Sequence, residues 1–268
     1  MKKISFKIIT LFPELIHSYL KDAILSKAIA NKIINIEITD LRTFSDTKYK
    51  SVDDTVFGGG DGMLFKFGPL SKALNNLNIL KKQNPGKKIV YLSPQGKPWK
   101  SEIAKSWAQS EEIILICGRY AGIDQRFIHH YVDEEISIGD YILSGGELAA
   151  LVVIESVSRF IPGVLGDMLS AQNDSFEEGL LEAPQFTKPQ IENVSNLDLA
   201  VPAVLYSGNH QLIAEWKASV AILITLKKRP DLLANKKNIS WESLKDFYKN
   251  MKTEDKTILD LLDLEFET

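Results

Sequence analysis

The sequence is poor in the residues that staple a small protein or bind metal. One cysteine in 268 residues, Cys117, can form neither an internal disulfide nor a cysteine-based zinc site. Of the four histidines, His129 and His130 are adjacent and point apart on a helix, and His17 and His210 stand far away in the chain, so no metal site is expected. No apolar run exceeds Leu148-Ala-Ala-Leu-Val-Val-Ile154, far short of the roughly 20 residues that cross a bilayer. The start, Met1-Lys2-Lys3, resembles a secretory leader only briefly: Lys7 interrupts the apolar residues, and Pro13 follows with no small-residue cleavage site. The expectation is a cytoplasmic protein with no membrane partner. Three ligand-handling patterns are also missing: Gly-x-Gly-x-x-Gly, the Gly-x-x-x-x-Gly-Lys-[Ser/Thr] phosphate loop and the Gly-x-Ser-x-Gly elbow.

What is present is ordinary in bulk and uneven in detail. With 44% hydrophobic and 25% charged residues and a net charge of −3, the chain is neither disordered nor a strongly basic nucleic-acid coat. Its length suits one large domain or two unequal ones. Residues 131–184 carry eleven acids against a single base, Arg159, whereas 1–130 and 185–252 are net basic. A basic face therefore remains available to a polyanion, although clustered solvated charges explain the same pattern.

β-branched runs at 4–11, 33–40, 88–92, 112–117 and 135–138 alternate with helix-length segments at 13–31, 70–80, 101–110 and 124–130. That alternation predicts an α/β domain with a mainly parallel sheet, 88–92 and 112–117 at its centre because they are apolar throughout. Ser101 is the expected N-cap of its helix. Residues 42–63 read as a long loop ending in Gly58-Gly59-Gly60-Asp61-Gly62, and 147–160 as a buried helix. Beyond them the pattern gives residues 1–163 as an α/β domain, 164–180 as a flexible linker and 181–268 as a small all-helical domain. Its helices are expected at 210–228, 240–252 and, as an amphipathic acidic end, 256–266.

Ligands of open α/β sheets bind beyond the carboxyl ends of the strands. Three predicted strands end in glycine-bearing loops: Ser93-Pro94-Gln95-Gly96, Gly118-Arg119-Tyr120-Ala121-Gly122 and Gly139-Asp140-Tyr141-Ile142-Leu143-Ser144-Gly145-Gly146. Each alone is explained as a tight turn; together they outline a small-molecule crevice lined by Tyr91, Tyr120, Tyr141 and Leu143. Cys117, closing an apolar strand, reads as an inert buried thiol.

These loops also carry a resemblance. Tyr91-Leu-Ser-Pro-Gln-Gly96, Cys117-Gly-Arg-Tyr120, Gly122-Ile-Asp124, Ser137-Ile-Gly-Asp-Tyr-Ile-Leu-Ser-Gly-Gly-Glu147, Val157-Ser-Arg-Phe-Ile-Pro-Gly-Val-Leu-Gly166 and Asp174-Ser-Phe176 resemble the bacterial tRNA (guanine-N1)-methyltransferase family. Leu11-Phe-Pro-Glu14, Val52-Asp-Asp54, Gly58-Gly-Gly60, Ser207-Gly-Asn-His210 and Arg229-Pro230 extend it over nearly the whole chain. The resemblance implies a homodimer with a composite active site and a cofactor domain tied in a deep C-terminal trefoil knot (the SPOUT-like fold). This overrides the unthreaded topology that sheet rules alone predict. It implies S-adenosyl-L-methionine as methyl donor and N1 of guanosine 37, just 3′ of the tRNA anticodon, as acceptor.

By the same resemblance, Tyr91, Leu92, Ser93, Pro94, Gly118, Tyr120, Ile138, Gly139, Asp140, Tyr141, Ile142, Leu143, Gly145 and Gly146 hold the cofactor. Asp174 is the implied base, with Arg119 and Arg159 balancing charge on the guanine and phosphates. On the residues alone, Asp174 reads as a helix N-cap and Arg159 as a partner of Glu155. Ser175, Ser207, Asn209, His210, Lys217 and Arg229 are the implied RNA contacts, and Arg229 is equally explained as a cation at a helix C-terminus. The sequence departs from the family at Ala121, where glutamate is usual, and in the few arginines of 211–217. Two other readings stay open: a related knotted RNA methyltransferase acting on another base or a ribose, and a non-catalytic RNA-binding relative.

Overall fold

The computed structural model describes residues 4–59, 62–79, 86–166, 174–195, 197–234, 236 and 239–266. The chain divides into two compact units, Met1–Ala171 and Gln172–Thr268. Of the expected linker, 167–173 lie outside the described residues, as do Gly60 and Asp61 of the glycine-rich loop.

The first unit is built on a five-stranded parallel sheet of β1 (Ile4–Thr10), β2 (Ile34–Asp40), β5 (Lys87–Pro98), β6 (Glu112–Cys117) and β7 (Glu134–Ser137). Their order is β2-β1-β6-β5-β7. As their apolar runs predict, β6 is central and β5 is beside it. Alternate side chains enter two cores. Phe6, Ile8, Val90, Ile113 and Leu115 pack beneath α1 (Pro13–Leu20), α2 (Ala23–Ala30), α4 (Ser101–Trp107) and α6 (Glu147–Ser158). Ile9, Ile89, Ile114 and Ile116 pack beneath α3 (Phe67–Asn76) and α5 (Gln125–Tyr131). A strand buried on both faces needs this near-continuous apolar run.

Four local expectations for this unit are corrected. The helix over 13–31 is two, because Asp22 accepts a hydrogen bond from the Ala23 amide and Ala23 takes a positive φ of 60°. Ser101 is the first helical residue rather than the cap; Lys100 stands at the cap and makes no side-chain capping bond. The stretch 42–63 is not all loop: a 3₁₀ turn (Leu41–Phe44) precedes β3 (Asp53–Thr55), which pairs antiparallel with β4 (Met63–Phe65). Its strands have three residues each, too short for a period-2 pattern to show. Strand β5 runs past its expected end at residue 92. Leu92 and Lys97 both register against Ile136, so 93–96 bow out between them. Gly96 lies so close that a Cβ there would fall 2.3 Å from the Ile136 amide nitrogen.

The second unit is centred on α7 (His210–Lys228), with α8 (Trp241–Asn250) and α9 (Thr253–Ile258). Trp216, Val220, Leu223, Ile224, Leu244, Leu259 and Leu261 form its core. Two expectations are corrected here. The unit is not all-helical: β8 (Ile191–Val194) and β9 (Leu197–Ala200) form an antiparallel hairpin. The hairpin is almost wholly exposed, so no buried face selected a legible alternation. The terminal helix also stops early. The Asp260 amide donates to Thr257 and that of Leu261 to Lys256, with Asp260 at φ 55°, a Schellman stop that drives Leu261 into the core. No helix among the described residues is long and apolar enough to cross a membrane.

Candidate active site

At the carboxyl ends of β5, β6 and β7 the structure opens a cavity of about 540 Å³, within the range of small-molecule pockets. The three glycine-bearing loops meet there. Tyr91, Leu92, Ser93, Pro94, Gly118, Arg119, Tyr120, Ile138, Gly139, Tyr141, Ile142, Leu143, Gly145 and Gly146 all line it. Asp140 does not; its side chain is exposed on the same loop. Gln95, from the first of these loops, lines it as well; Leu64, Gln125, Ile128 and Glu135 line it too and were not anticipated. Glu135 is opposite Tyr91 in the β5–β7 ladder, a juxtaposition that only the strand register creates.

The glycines have packing reasons. A Cβ on Gly118 would meet the Tyr91 ring at 2.8 Å, and one on Gly146 would meet the Cys117 Cα at 2.8 Å. Gly139 has φ 153° and a Cβ position 2.4 Å from the Tyr141 ring. The loops therefore present backbone rather than side chains to the cavity, offering N–H and C=O groups at close range. Burial, with the Glu135 charge adding to it, pushes the Tyr91 phenol up to about 12, so the wall it forms is neutral. Cys117 is fully buried, and burial pushes its thiol upward, as an inert structural cysteine requires.

Arg119 is held from inside the protein. Its guanidinium carbon lies 3.9 Å from the centroid of the Phe12 ring, and its Nη2 lies 3.5 Å from Glu147 Oε2. Glu147 opens α6 and is 2% exposed, and its Oε1 accepts a 2.7 Å hydrogen bond from the Thr10 hydroxyl. Arg159 lies at the other end of the same helix, as its C-cap, and does not line the cavity.

Asp174 belongs to the second unit. The helix it was expected to cap is absent. Residues 174–180 form turns, in which the Glu177 amide donates to the Asp174 carbonyl and Phe176 adopts φ 79°. Ser175 Oγ accepts from the Glu182 amide. Ser207, Asn209 and His210 cluster at the start of α7, exposed, and Asn209 caps the helix by accepting from the Leu212 amide. Lys217 is exposed one face along the same helix. Arg229 closes a two-point fork on Asp231 at 2.8 and 2.7 Å.

A family model described as tRNA (Guanine-1)-methyltransferase matches residues 4–235. The chain belongs to this family. Curated relatives named tRNA (guanine-N(1)-)-methyltransferase agree. One from Hahella chejuensis is 46% identical over 233 residues, covering 87% of this chain and 88% of its own. One from Buchnera aphidicola is 49% identical over 232 residues, covering 86% of each chain. One from Latilactobacillus sakei is 43% identical over 229 residues, covering 85% of this chain and 90% of its own. The match spans both units, so the family identity rests on the crevice and the helical part together.

Proposed function

We propose that this chain methylates N1 of guanosine 37 in tRNA, with S-adenosyl-L-methionine as the donor. The observation that carries the reading is the joining of family membership over 4–235 to a backbone-lined crevice of about 540 Å³ at the strand ends. The glycine-walled crevice fits an adenosyl group: Gly118, Gly145 and Gly146 pack too closely on Tyr91, Glu147 and Cys117 to carry side chains, so the loops offer backbone groups, and Tyr91 and Tyr141 supply flat apolar walls. When bound, the cofactor supplies an electrophilic methyl group.

Guanine N1 carries a proton at neutral pH, so its lone pair becomes nucleophilic only as that proton leaves. Asp174 takes it, and Arg119 and Arg159 hold the negative charge that moves toward O6. Ser175, Ser207, Asn209, His210, Lys217 and Arg229 grip the RNA; for Arg229 this requires opening its fork on Asp231.

In this reading 1–163 is the cofactor domain, 164–180 the linker and 181–268 the RNA domain. The enzyme works in the cytoplasm as a homodimer in which Asp174 and Arg159 of one subunit serve the other's crevice. Supporting the dimer, α1 and α6 pair through the Tyr19 hydroxyl and Glu155 yet expose Leu15, Tyr19, Leu148 and Val152 on that side. The reading also ties the cofactor domain in the deep trefoil knot that the resemblance implies; at Gly96 the bulge of β5 lies against the Ile136 backbone with no room for a side chain between them.

Labelled-methyl transfer to tRNA transcripts with G or A at position 37 tests the reading. Transfer to G alone is expected, with Asp174→Ala reducing the rate by about 10²-fold or more while cofactor binding survives. Equal transfer to A, or full activity in Asp174→Ala, overturns it. Cofactor binding without transfer at saturating tRNA would instead favour a non-catalytic relative, the outcome to which Ala121 points.

A further inference from the structure

We propose that Glu147, working with Thr10, is a positioning residue that sets the Arg119 guanidinium for methyl transfer. This deepens the reading of the crevice and rests on Arg119 acting at the guanine.

A carboxylate at 2% exposure is costly unless its oxygens are satisfied. Glu147 sits in the first turn of α6, where the helix dipole favours a negative charge. Thr10, fully buried at the end of β1, accepts from the Phe12 amide at 2.9 Å and donates to Glu147 Oε1 at 2.7 Å. Because the Phe12 amide occupies an acceptor site on that hydroxyl, its proton has one good direction, toward the carboxylate. Glu147 Oε2 then faces Arg119 Nη2 at 3.5 Å, and the Phe12 ring packs on the guanidinium with its centroid 3.9 Å from the guanidinium carbon.

The contrast with other arginines is informative. Arg126 closes its Nε and Nη2 on Asp124, and Arg229 does the same on Asp231, each a saturated fork. Arg119 meets Glu147 through one nitrogen at a long distance, and its Nε is buried without a hydrogen-bond partner. Arg126 and Arg229 thus each commit two donors to one carboxylate, which Arg119 does not. Here it is oriented by one carboxylate and one ring, and its Nε stays uncommitted beside Gly145. A Cβ on Gly145 would lie 2.4 Å from Glu147 Oε2 and 2.7 Å from Arg119 Nε, so the crevice loop packs directly on the pair.

Steady-state methyl transfer to tRNA tests this, with S-adenosylmethionine binding measured by calorimetry. Glu147→Gln should lower kcat roughly 10- to 100-fold while the KM for tRNA and cofactor affinity stay within about threefold, as misplacement of one catalytic group would. Glu147→Asp should recover part of the loss. Thr10→Val should cost about 3- to 10-fold and Thr10→Ser little, which keeps the inference testable if Glu147→Gln fails to fold. In an Arg119→Lys background, Glu147→Gln should cost less than about twofold more. Losses that multiply across the two sites, or a Thr10→Val enzyme at the wild-type rate, overturn the positioning role. A fully active Arg119→Lys enzyme beside an impaired Glu147→Gln would overturn the reading of Arg119 itself.

Discussion

Gly118→Ala isolates the claim that the crevice is shaped by backbone pressed against Tyr91. The new Cβ would lie 2.8 Å from Tyr91 Cε2 and Oη and 3.2 Å from Cζ. Favourable carbon contacts begin near 3.5 Å, so the ring must retreat by about 0.7 Å. It has little freedom to do so: Tyr91 is 7% exposed, sits among Ile89, Ile114 and Ile116, and accepts a hydrogen bond from the Ile123 backbone. Gly118 is not in the left-handed region, so backbone strain adds nothing. Overpacking of this kind costs about 1–3 kcal/mol. Shared evenly between fold and cleft, that predicts S-adenosylmethionine affinity weakened roughly 2- to 12-fold and a melting temperature one to a few degrees lower. Gly68→Ala is the control: it lies in α3 with open space around it, and should leave binding unchanged while gaining up to about 1 kcal/mol. Calorimetry and thermal melts of both variants decide the matter. Wild-type affinity in Gly118→Ala, or equal behaviour of the two variants, would show that Tyr91 is not a fixed wall.

The buried Tyr91 phenol, pushed to about 12 first by burial and then by Glu135, also sets an alkaline limit. An unfolded tyrosine loses its proton near pH 10, before the folded one does. Stability is therefore complete below pH 10 and falls between 10 and about 12, by up to roughly 2–3 kcal/mol. Denaturant melts should show wild type losing more than Tyr91→Phe between pH 9 and 11.5; parallel losses would refute the shift. Cys117, whose thiol burial raises, should resist maleimide at neutral pH until the chain unfolds, and rapid labelling of the folded protein would contradict its placement. If Leu15, Tyr19, Leu148 and Val152 cover a second subunit, Val152→Lys should shift sedimentation toward monomer and depress methyl transfer together; a stable active dimer would refute that face.

The parts of the fold legible in the sequence were those where burial dictates residue type. Ile113-Ile114-Leu115-Ile116 is apolar throughout because β6 faces a core on each side, and the observed strand, Glu112–Cys117, matches its expected limits. Helix α7 was equally legible, since Asn209 caps its start and Lys227 and Lys228 close its last turn. Illegible were features decided by one or two bonds. The break at Asp22 and Ala23 and the Schellman stop at Asp260 each turn on a single backbone conformation. The exposed β8–β9 hairpin has no apolar face to announce it.

The candidate site divides along the same physical line. Glycines at strand ends marked three loops that would converge, and thirteen of the fourteen cofactor residues implied by the resemblance line the cavity because three adjacent strands bring those loops to one edge. Thr10 gave no such announcement. It ends a strand in which every neighbour is apolar or ordinary, and its partner Glu147 lies 137 positions away in the chain. Only the parallel register of β1 beside β6, with α6 packed across them, brings hydroxyl, carboxylate and guanidinium into one line. One sign of this was nonetheless open to inspection: an acid at the head of a helix as apolar as 147–158 must find partners inside the protein. Glu147 was therefore legible as a buried acid in need of partners, while Thr10 and Arg119 as those partners were not.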